Sequence, residues 1–326
     1  MRASVRSRGR KAAVASSTLR SLARLRTRSF WARTLATAAV YVILVDLAFV
    51  FLYPFLYMLV TSIKSPVDLS DVTVRWIPRS VHMQNYAKAW IALDYLKHLK
   101  NSVLVVGLST AGHVLSCSFI GYGFARHRFP GRNVFFLFVI LSLIIPVQVI
   151  IVPLYIQYSK MGWLDSYLPM VVPTFFGFGL RGGLFVFVFR QFFRGLPYEL
   201  EDAARIDGCG SVRTYWSIVL PISGAAVVVT IVLAMTWHWN DYYEPVIYLL
   251  GSPQKRMLPA ILPSLYELIS GMDPEELGIA EEEIEEMFNR GFVMAATALA
   301  MAPMLAAYMV LQRRFMVGVS RTGLTE

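Results

Sequence analysis

The sequence has few charged residues for a chain of 326. Asp, Glu, Lys and Arg make up 16% of it, whereas about a quarter is usual in soluble domains. Apolar residues make up 56%, and the mean hydropathy is +0.53. This composition is too apolar for the surface of a soluble globular protein, so it predicts an integral membrane protein.

Motifs for binding phosphate or metal ions, or for nucleophilic catalysis, are also missing. There is no G-x-x-x-x-G-K-[ST] loop, no H-E-x-x-H pair and no G-x-S-x-G turn. The five histidines are scattered, and the two cysteines, Cys117 in a predicted span and Cys209 on the predicted cytoplasmic side, are not placed to form a disulfide. We expect no catalytic residues, no cofactor and no metal site, so uphill transport would need a partner or an ion gradient.

Long apolar runs, in contrast, are frequent. A helix needs about 20 apolar residues to cross a hydrocarbon core of about 30 Å. Lipid cannot satisfy an open backbone, so each such run is expected to be helical. The runs predict an all-α membrane protein with six transmembrane helices, at about 35–60, 101–124, 134–156, 168–189, 217–250 and 291–312.

Basic residues are concentrated in some of the segments between these runs. Residues 1–33 contain ten basic side chains and no acidic one, and arginines recur in 125–133, 190–216 and the C-terminal tail. The positive-inside rule therefore predicts that both termini and these loops are cytoplasmic. These flanks explain most of the net charge of +10. We expect residues 1–33 to be a disordered tail near anionic lipid, and we expect no nucleic-acid partner.

One polar stretch, 201–221, lies between two apolar runs and reads EDAARIDGCGSVRTYWSIVLP. Pro197 suits a first helical position, and the acidic residues that follow suit the positive end of a helix dipole, which predicts a short helix at about 198–206. Asp207 and Gly208 supply turn chemistry that ends this helix. Because Ala203 and Ala204 are small, another surface can approach closely. The stretch is predicted to dock a cytoplasmic protein.

This stretch resembles the signature of a known family, the inner-membrane permease subunits of binding-protein-dependent ABC importers. The signature is E-A-A, three residues, G, nine residues and I-x-L-P. Here Asp202-Ala203-Ala204 is followed after three residues by Gly208, and after nine more by Ile218-Val219-Leu220-Pro221. Asp202 replaces the leading Glu of the family and is one methylene shorter.

Other segments resemble the carbohydrate-uptake branch of the family, of the maltose G-subunit type. In chain order they are PFLYMLVTSIKS (54–65), QNYAKAW (84–90), NSVLV (101–105), YGFARHRFPGRN (122–133), IIPVQVIIVPLY (144–155), FRQFFRGLPYELEDAARIDG (189–208), WHWNDYYEPVIYL (237–249) and FMVGVSRTGLTE (315–326).

The resemblance implies a type I ABC importer permease (MetI-like) fold in the bacterial cytoplasmic membrane, with the family core at about 97–312. It implies three partners: a second homologous permease, an ABC ATPase dimer and an extracytoplasmic solute-binding protein. The two permeases would form an alternating-access path for a sugar of di- or oligosaccharide size. Coupling to the ATPase is assigned to Glu201, Asp202, Ala203, Ala204, Asp207, Gly208, Ile218, Leu220 and Pro221.

The predicted organisation is a basic cytoplasmic tail at 1–33, a six-helix permease domain at 34–313 and a cytoplasmic tail at 314–326. Within the domain, 190–216 is the coupling loop and 251–290 is an acidic extracytoplasmic loop. The acidic part of that loop, 271–290, is either a solvated helix or a contact for the binding protein.

Polar residues inside predicted spans are the candidates for the translocation path, because charge at bilayer depth is costly and usually faces a cavity or a partner. Each has an alternative structural role. Arg181, in GFGLRGGLF, marks either a helix break in the path or a kink. Pro146 and Pro153 are expected to bend the third span, and Gln148 between them suits a gate or packing. The candidates are Gln148, Arg181, Trp239, Asn240 and Asp241.

The run WHWNDYY at 237–243 combines aromatic rings with an amide and a carboxylate, a composition that suits a sugar. It equally suits anchoring at the outer interface, with the polar pair ending the helix. Asp46 in the first span suits a hydrogen bond to a neighbouring helix or to the second permease, or a direct contact with substrate.

Two functional alternatives remain open at this stage. One is an ion-coupled secondary transporter with Asp46 and Arg181 as its coupling charges. The other is an ABC permease for a solute that is not a sugar.

Overall fold

The computed structural model describes the backbone of residues 3–266 and 289–322, and the side chains of residue 31 and of residues 33–266 and 289–316. These described residues are mostly helical and contain no strand, which confirms the all-α prediction. Residues 271–288 of the acidic loop lie outside them, so its two proposed roles stay predictions.

The helices are α1 (Ala3–Ser62), α2 (Pro66–Ser70), α3 (Gln84–Ala92), α4 (Tyr95–Arg126), α5 (Arg132–Ile144), α6 (Val147–Lys160), α7 (Leu168–Val171), α8 (Gly182–Arg194), α9 (Glu199–Ile206), α10 (Ser211–Thr214), α11 (Leu220–Ile222), α12 (Gly224–Asn240), α13 (Tyr243–Tyr248), α14 (Leu258–Ile261) and α15 (Arg290–Thr322). Short 3-10 turns cover Val172–Phe176, Pro253–Lys255 and Leu262–Ser264, and a π-helical turn covers Tyr215–Val219.

The chain divides into two units, Met1–Val60 and Thr61–Glu326. The first unit contains the helix α1 up to Val60, and the apolar part of this helix, Arg33–Ser62, is long enough to cross a membrane. The expected disordered tail is wrong for residues 3–33, because the helix already begins at Ala3. Ala, Arg and Leu, which are strong helix formers, dominate that segment.

The second unit contains the predicted bends. A bend of 105° separates α5 from α6, and Pro146 lies at the joint as the N-cap of α6. This confirms the predicted bend at Pro146, where the ring restricts the preceding residue. Pro153, in contrast, lies inside α6 without ending it.

The fourth predicted span, 168–189, is not one helix. The helix α7 passes into the 3-10 turn, and the backbone then leaves helical geometry before α8 begins. Gly177, Gly179 and Arg181 all have positive φ in this break. Positive φ is incompatible with a right-handed helix, so Gly177, Gly179 and Arg181 interrupt the helix, and Gly182 and Gly183 already belong to α8.

The fifth predicted span, 217–250, is also divided. It bends by 77° between Ser211–Ile222 and α12, and α12 ends at Asn240. Three described helices, Arg33–Ser62, Tyr95–Arg126 and Arg290–Met316, are each long and apolar enough to span a membrane, and the two bent pairs raise the number to five.

Small residues hold the core of the second unit together. The C-terminal half of α4 packs against α8 and α12, and its buried side chains include Cys117 and Ala125. In lipid there is little hydrophobic drive between helices, so packing depends on close approach of their backbones. The small side chains allow that approach and bring the loop after α8 against the end of α4.

Candidate functional site

The predicted coupling helix is present as α9, which confirms a short helix in this position. Its first backbone bonds run from Glu201 and Asp202 to the carbonyl of Tyr198, the N-cap residue. Pro197 therefore lies before the helix and not at its first position. The helix ends at Ile206 with Asp207 as its C-cap, and Gly208 follows with φ of +79°.

The helix α9 has two different faces. Glu201 and Ala204 are buried, whereas Asp202, Ala203 and Ile206 are exposed. The side chain of Asp202 is 65% exposed and lies 3.5 Å from that of Arg205. Ile206 is 86% exposed, which is unusual for a large apolar residue beside charged ones. The exposed face thus combines a carboxylate, a small residue and an apolar side chain.

Glu201 does not belong to that exposed face. Its Oε1 atom lies 2.8 Å from Nε of Arg126, and the two side chains are 8% and 1% exposed. Glu201 is therefore buried against α4 within this chain, and its predicted part in coupling to an ATPase stays a prediction. Arg126 was not among the predicted site residues, although its position at the end of a span, before a loop that contains acidic residues, is a signal that marks it as a candidate.

The residues Ile218, Leu220 and Pro221 form an elbow before the next span. Tyr215, in the π-helical turn, is fully buried and its hydroxyl lies 2.6 Å from that of Ser118 on α4. Ile218 and Leu220 are half-buried, and Pro221 is exposed. The signature therefore ends in a joint fixed to α4, and the span itself starts after the bend.

The path candidates occupy different environments. Gln148 is exposed on α6, and Arg181 is the exposed N-cap of α8, with its guanidinium 5.5 Å from the centre of the Trp237 ring. Asn240 ends α12 and is exposed, and Asp241 is the half-buried C-cap, accepting a hydrogen bond from the Tyr243 N–H at 3.2 Å. Within residues 33–266 and 289–316, no hydrogen bond or ion pair joins these four side chains to one another.

Trp239 is not on an open surface. It is 5% exposed, and its indole N–H donates to the carbonyl oxygen of Ala300 on α15 at 3.2 Å. This residue fastens α12 to α15 in this conformation, and its predicted place in the path stays a prediction. Asp46 is exposed on α1.

Two of the histidines are not scattered in space. His113 on α4 and His238 on α12 are buried, and their Nε2 atoms lie 3.1 Å apart. Cys117 lies 3.7 Å from the other ring nitrogen of His113, on the opposite side, so the three side chains do not converge on one point. Among the described residues there is no group of three or more His, Cys, Asp or Glu side chains suited to a metal ion.

Comparison with known proteins identifies the family of this chain. Residues 118–320 match the family described as "Binding-protein-dependent transport system inner membrane component". The chain belongs to this family. It is therefore a membrane-embedded transport subunit, the permease of an ABC importer. The permease subunit has no ATPase site of its own.

Two relatives illustrate the family. The arabinooligosaccharides transport system permease protein AraQ of Halalkalibacterium halodurans is 26% identical over 280 residues, 85% of this permease and 92% of the relative. The sn-glycerol-3-phosphate transport system permease protein UgpE of Yersinia enterocolitica is 29% identical over 274 residues, 82% of this permease and 90% of the relative.

A solved structure shares the fold. It is a chain from the crystal structure of a bacterial ABC transporter involved in the import of the acidic polysaccharide alginate. The TM-score is 0.71 at 19% sequence identity, and the match covers 86% of this permease and 96% of that chain. The predicted importer-permease fold is thereby confirmed at the level of architecture.

Proposed function

We propose that this permease carries a di- or oligosaccharide, delivered by an extracytoplasmic solute-binding protein, and that a separate ATPase dimer docks on α9. The observation that carries the proposal is the exposed face of α9, where Asp202, Ala203 and Ile206 meet solvent while Glu201 and Ala204 anchor the helix. An anchored helix that presents a carboxylate, a small residue and an apolar side chain on one exposed face suits docking of another protein.

The proposed topology has six spans and cytoplasmic termini. It counts α1, α4, the bent pair of α5 and α6, the broken segment ending in α8, the bent segment ending in α12, and α15. The basic tails and the basic loops at 125–133 and 190–216 support this orientation. The permease domain would then be 34–313, between tails at 1–33 and 314–326.

The proposed path is lined by Gln148, Arg181, Asn240 and Asp241, with a second, homologous permease supplying the opposite wall. Three of them lie where a helix begins or ends, and broken helices at membrane depth are tolerated where they line a cavity. We leave Trp239 out because its indole is buried against α15.

A sugar or polyol phosphate is the second candidate substrate. UgpE is a relative whose name states sn-glycerol-3-phosphate, and Arg181 is an exposed cation in the break before α8. Guanidinium groups bind phosphate well because their N–H donors match its oxygens. Uptake of arabino-oligosaccharides is compared with uptake of glycerol-3-phosphate, both measured with the binding protein encoded beside this permease. The substrate that is taken up distinguishes the two candidates. Arg181→Gln should reduce only the uptake of the phosphate ester.

Co-purification tests the proposed docking site. The wild-type chain, expressed with its neighbouring genes, should retain an ATPase and a second permease. Ile206→Glu should lose the ATPase but keep the second permease, because a buried carboxylate is costly in an apolar contact. Ile77→Glu is the matched control, since Ile77 is also exposed, at 84%, but lies in a loop that we place on the other side of the membrane. Retention of the ATPase by Ile206→Glu would contradict the proposal.

A further inference from the structure

The coupling helix α9 is attached to the end of α4 by a buried ion pair. Nε of Arg126 lies 2.8 Å from Oε1 of Glu201, and neither side chain is more than 8% exposed. The other ion pair of α9, Asp202 with Arg205, is within the helix and mostly exposed. In the part of the chain that the structure describes, the pair of Arg126 and Glu201 is the one ion pair that connects α9 with another helix.

Arg126 is held from several directions by the segment that leads into α9. Its Nη2 donates to the carbonyl oxygen of Leu196 at 2.6 Å, and its Cζ lies 4.2 Å from the centre of the Tyr198 ring. Tyr122, one turn earlier on α4, donates from its hydroxyl to Oε2 of Glu201 at 3.5 Å. The guanidinium thus contacts the beginning of the loop, the N-cap and the first turn of α9 together.

The chemistry of these contacts favours positioning over stability. Removing two charges from water is costly, and a well-packed apolar pair would serve stability at least as well. Nε and Nη1 of Arg126 and Oε1 of Glu201 are buried without a hydrogen-bond partner among the described residues, so the 2.8 Å contact is an ion pair without hydrogen-bond alignment and is not fully compensated. What a planar guanidinium supplies is a fixed direction, because its donors have a rigid geometry. Loss of either charge would leave the other buried and the helix free to shift.

We propose that Arg126 and Glu201 are positioning residues that make α9 and α4 move as one body when the ATPase closes. This inference rests on the proposed docking of an ATPase on α9. The covalent connections carry the motion of α9 into α8 and α12, and the ion pair carries it into α4. The three helices that pack together in the core would then turn together and not slide past one another.

Distance measurements between spin labels on α4 and α9 test the proposal directly. Leu108 is exposed on α4, 18 residues before Arg126, so Leu108→Cys places one label roughly 27 Å along the helix axis from the pair. Arg205→Cys places the other on α9, with Cys117→Ala and Cys209→Ser removing the native thiols. The label at position 205 replaces Arg205, so the ion pair of Asp202 with Arg205 is absent from every sample. Loss of that pair therefore cannot explain a difference between the parent chain and a variant.

The complex with its ATPase is measured in nanodiscs without nucleotide and after trapping with ATP and vanadate. With Glu201 present, the distance should be the same in both states. Glu201→Gln should shift or broaden it after trapping and lower uptake per ATP hydrolysed by about fivefold or more. Glu199→Gln is the matched control, because the same change is made on an exposed residue of the same helix. The exchanged pair, Arg126→Glu with Glu201→Arg, should restore the fixed distance.

Two results would overturn the inference: a distance that changes on trapping in the parent chain, or a Glu201→Gln variant that behaves like the parent. If Glu201→Gln does not assemble, Arg126→Lys carries the same test, since it keeps the charge but loses the rigid donor set. Failure of the proposed function looks different, because the parent chain would then retain no ATPase at all.

Discussion

His113 and His238 illustrate at the scale of single residues what a linear motif search overlooks. A neutral imidazole has one donor and one acceptor nitrogen, so two of them can satisfy each other across the contact of α4 with α12. Such a contact specifies the register of two helices without any charge.

Removing both histidines should therefore cost less than the sum of the two single removals. His238→Leu leaves Nε2 of His113 buried without its partner, which should lower the free energy of unfolding by about 1–3 kcal/mol. In the double variant with His113→Phe, the combined loss should be smaller than the sum of the two single losses. Thermal unfolding of the purified complex in detergent measures all four forms, and strictly additive losses would contradict a direct hydrogen bond.

Asp241 and Trp239 are two positions apart but should behave differently. Asp241→Asn should reduce uptake while assembly and basal ATP hydrolysis persist, because a path carboxylate contacts substrate and not a neighbouring subunit. Trp239→Phe should cost about 1 kcal/mol of stability through the lost bond to Ala300 and leave the substrate concentration for half-maximal uptake unchanged. Uptake and unfolding measured on both variants separate these roles, and loss of assembly by Asp241→Asn would favour an anchoring role.

At the scale of a single element, the backbone at Gly208 sets the direction of the chain after the helix α9. Its φ of +79° lies in the left-handed region, while no atom lies within 4 Å of where a side chain would start, so only the backbone resists substitution. Gly208→Val should cost about 1–2 kcal/mol or re-aim the turn, leaving membrane insertion intact but abolishing substrate-stimulated ATP hydrolysis.

Gly210 provides the control for that prediction. It has equally open surroundings, but its φ of −72° suits any residue. Gly210→Val should retain stimulated hydrolysis. Wild-type coupling in Gly208→Val, or equal loss in both variants, would show that the backbone at 208 does not orient α9.

The contact of α4 with α8 depends on another glycine. A Cβ atom at Gly121 would lie 2.8 Å from Cβ of Phe189 and 3.0 Å from the backbone nitrogen of Arg190. Both are too close, so Gly121→Ala should force the helices apart and destabilise the permease by about 1–3 kcal/mol. Gly123, on the same helix, has nothing within 4 Å, so Gly123→Ala should be neutral or slightly stabilising. Unfolding temperatures of the two variants check this, and equal stability would contradict close packing at 121.

At the scale of the whole molecule, labelling of cysteines tests the proposed orientation in the membrane. Cys209 is half-exposed after α9, whereas Cys117 is buried in the core. A membrane-impermeant maleimide should therefore label Cys209 only after permeabilisation of the cells. Ser80→Cys, in the exposed loop before α3, should be labelled in intact cells. Labelling of Cys209 in intact cells would reverse the proposed topology.

The whole fold also shows which features local residue patterns can predict and which they cannot. The six apolar runs were read from mean composition, and composition cannot detect that 168–189 contains three positive-φ residues or that 132–160 turns by 105°. The bend at Pro146 could be predicted because proline restricts the backbone of its own neighbours. Glu201 could not be separated from Asp202 by pattern alone, because both precede the same alanines and only the packing of α4 decides which one is buried. The acidic loop stays a prediction.

What the sequence determined by itself is local: the membrane class, the helical segments, the short helix ended by Asp207 and Gly208, and the family signature. These follow from the transfer free energy of apolar runs and from backbone preferences, which depend on near neighbours. Only the tertiary structure decided which polar groups are paired. His113 and His238 are 125 residues apart, and Trp239 and Ala300 are 61 apart. Burial and pairing at such separations depend on how the helices pack, so no local pattern could assign Arg126 to Glu201.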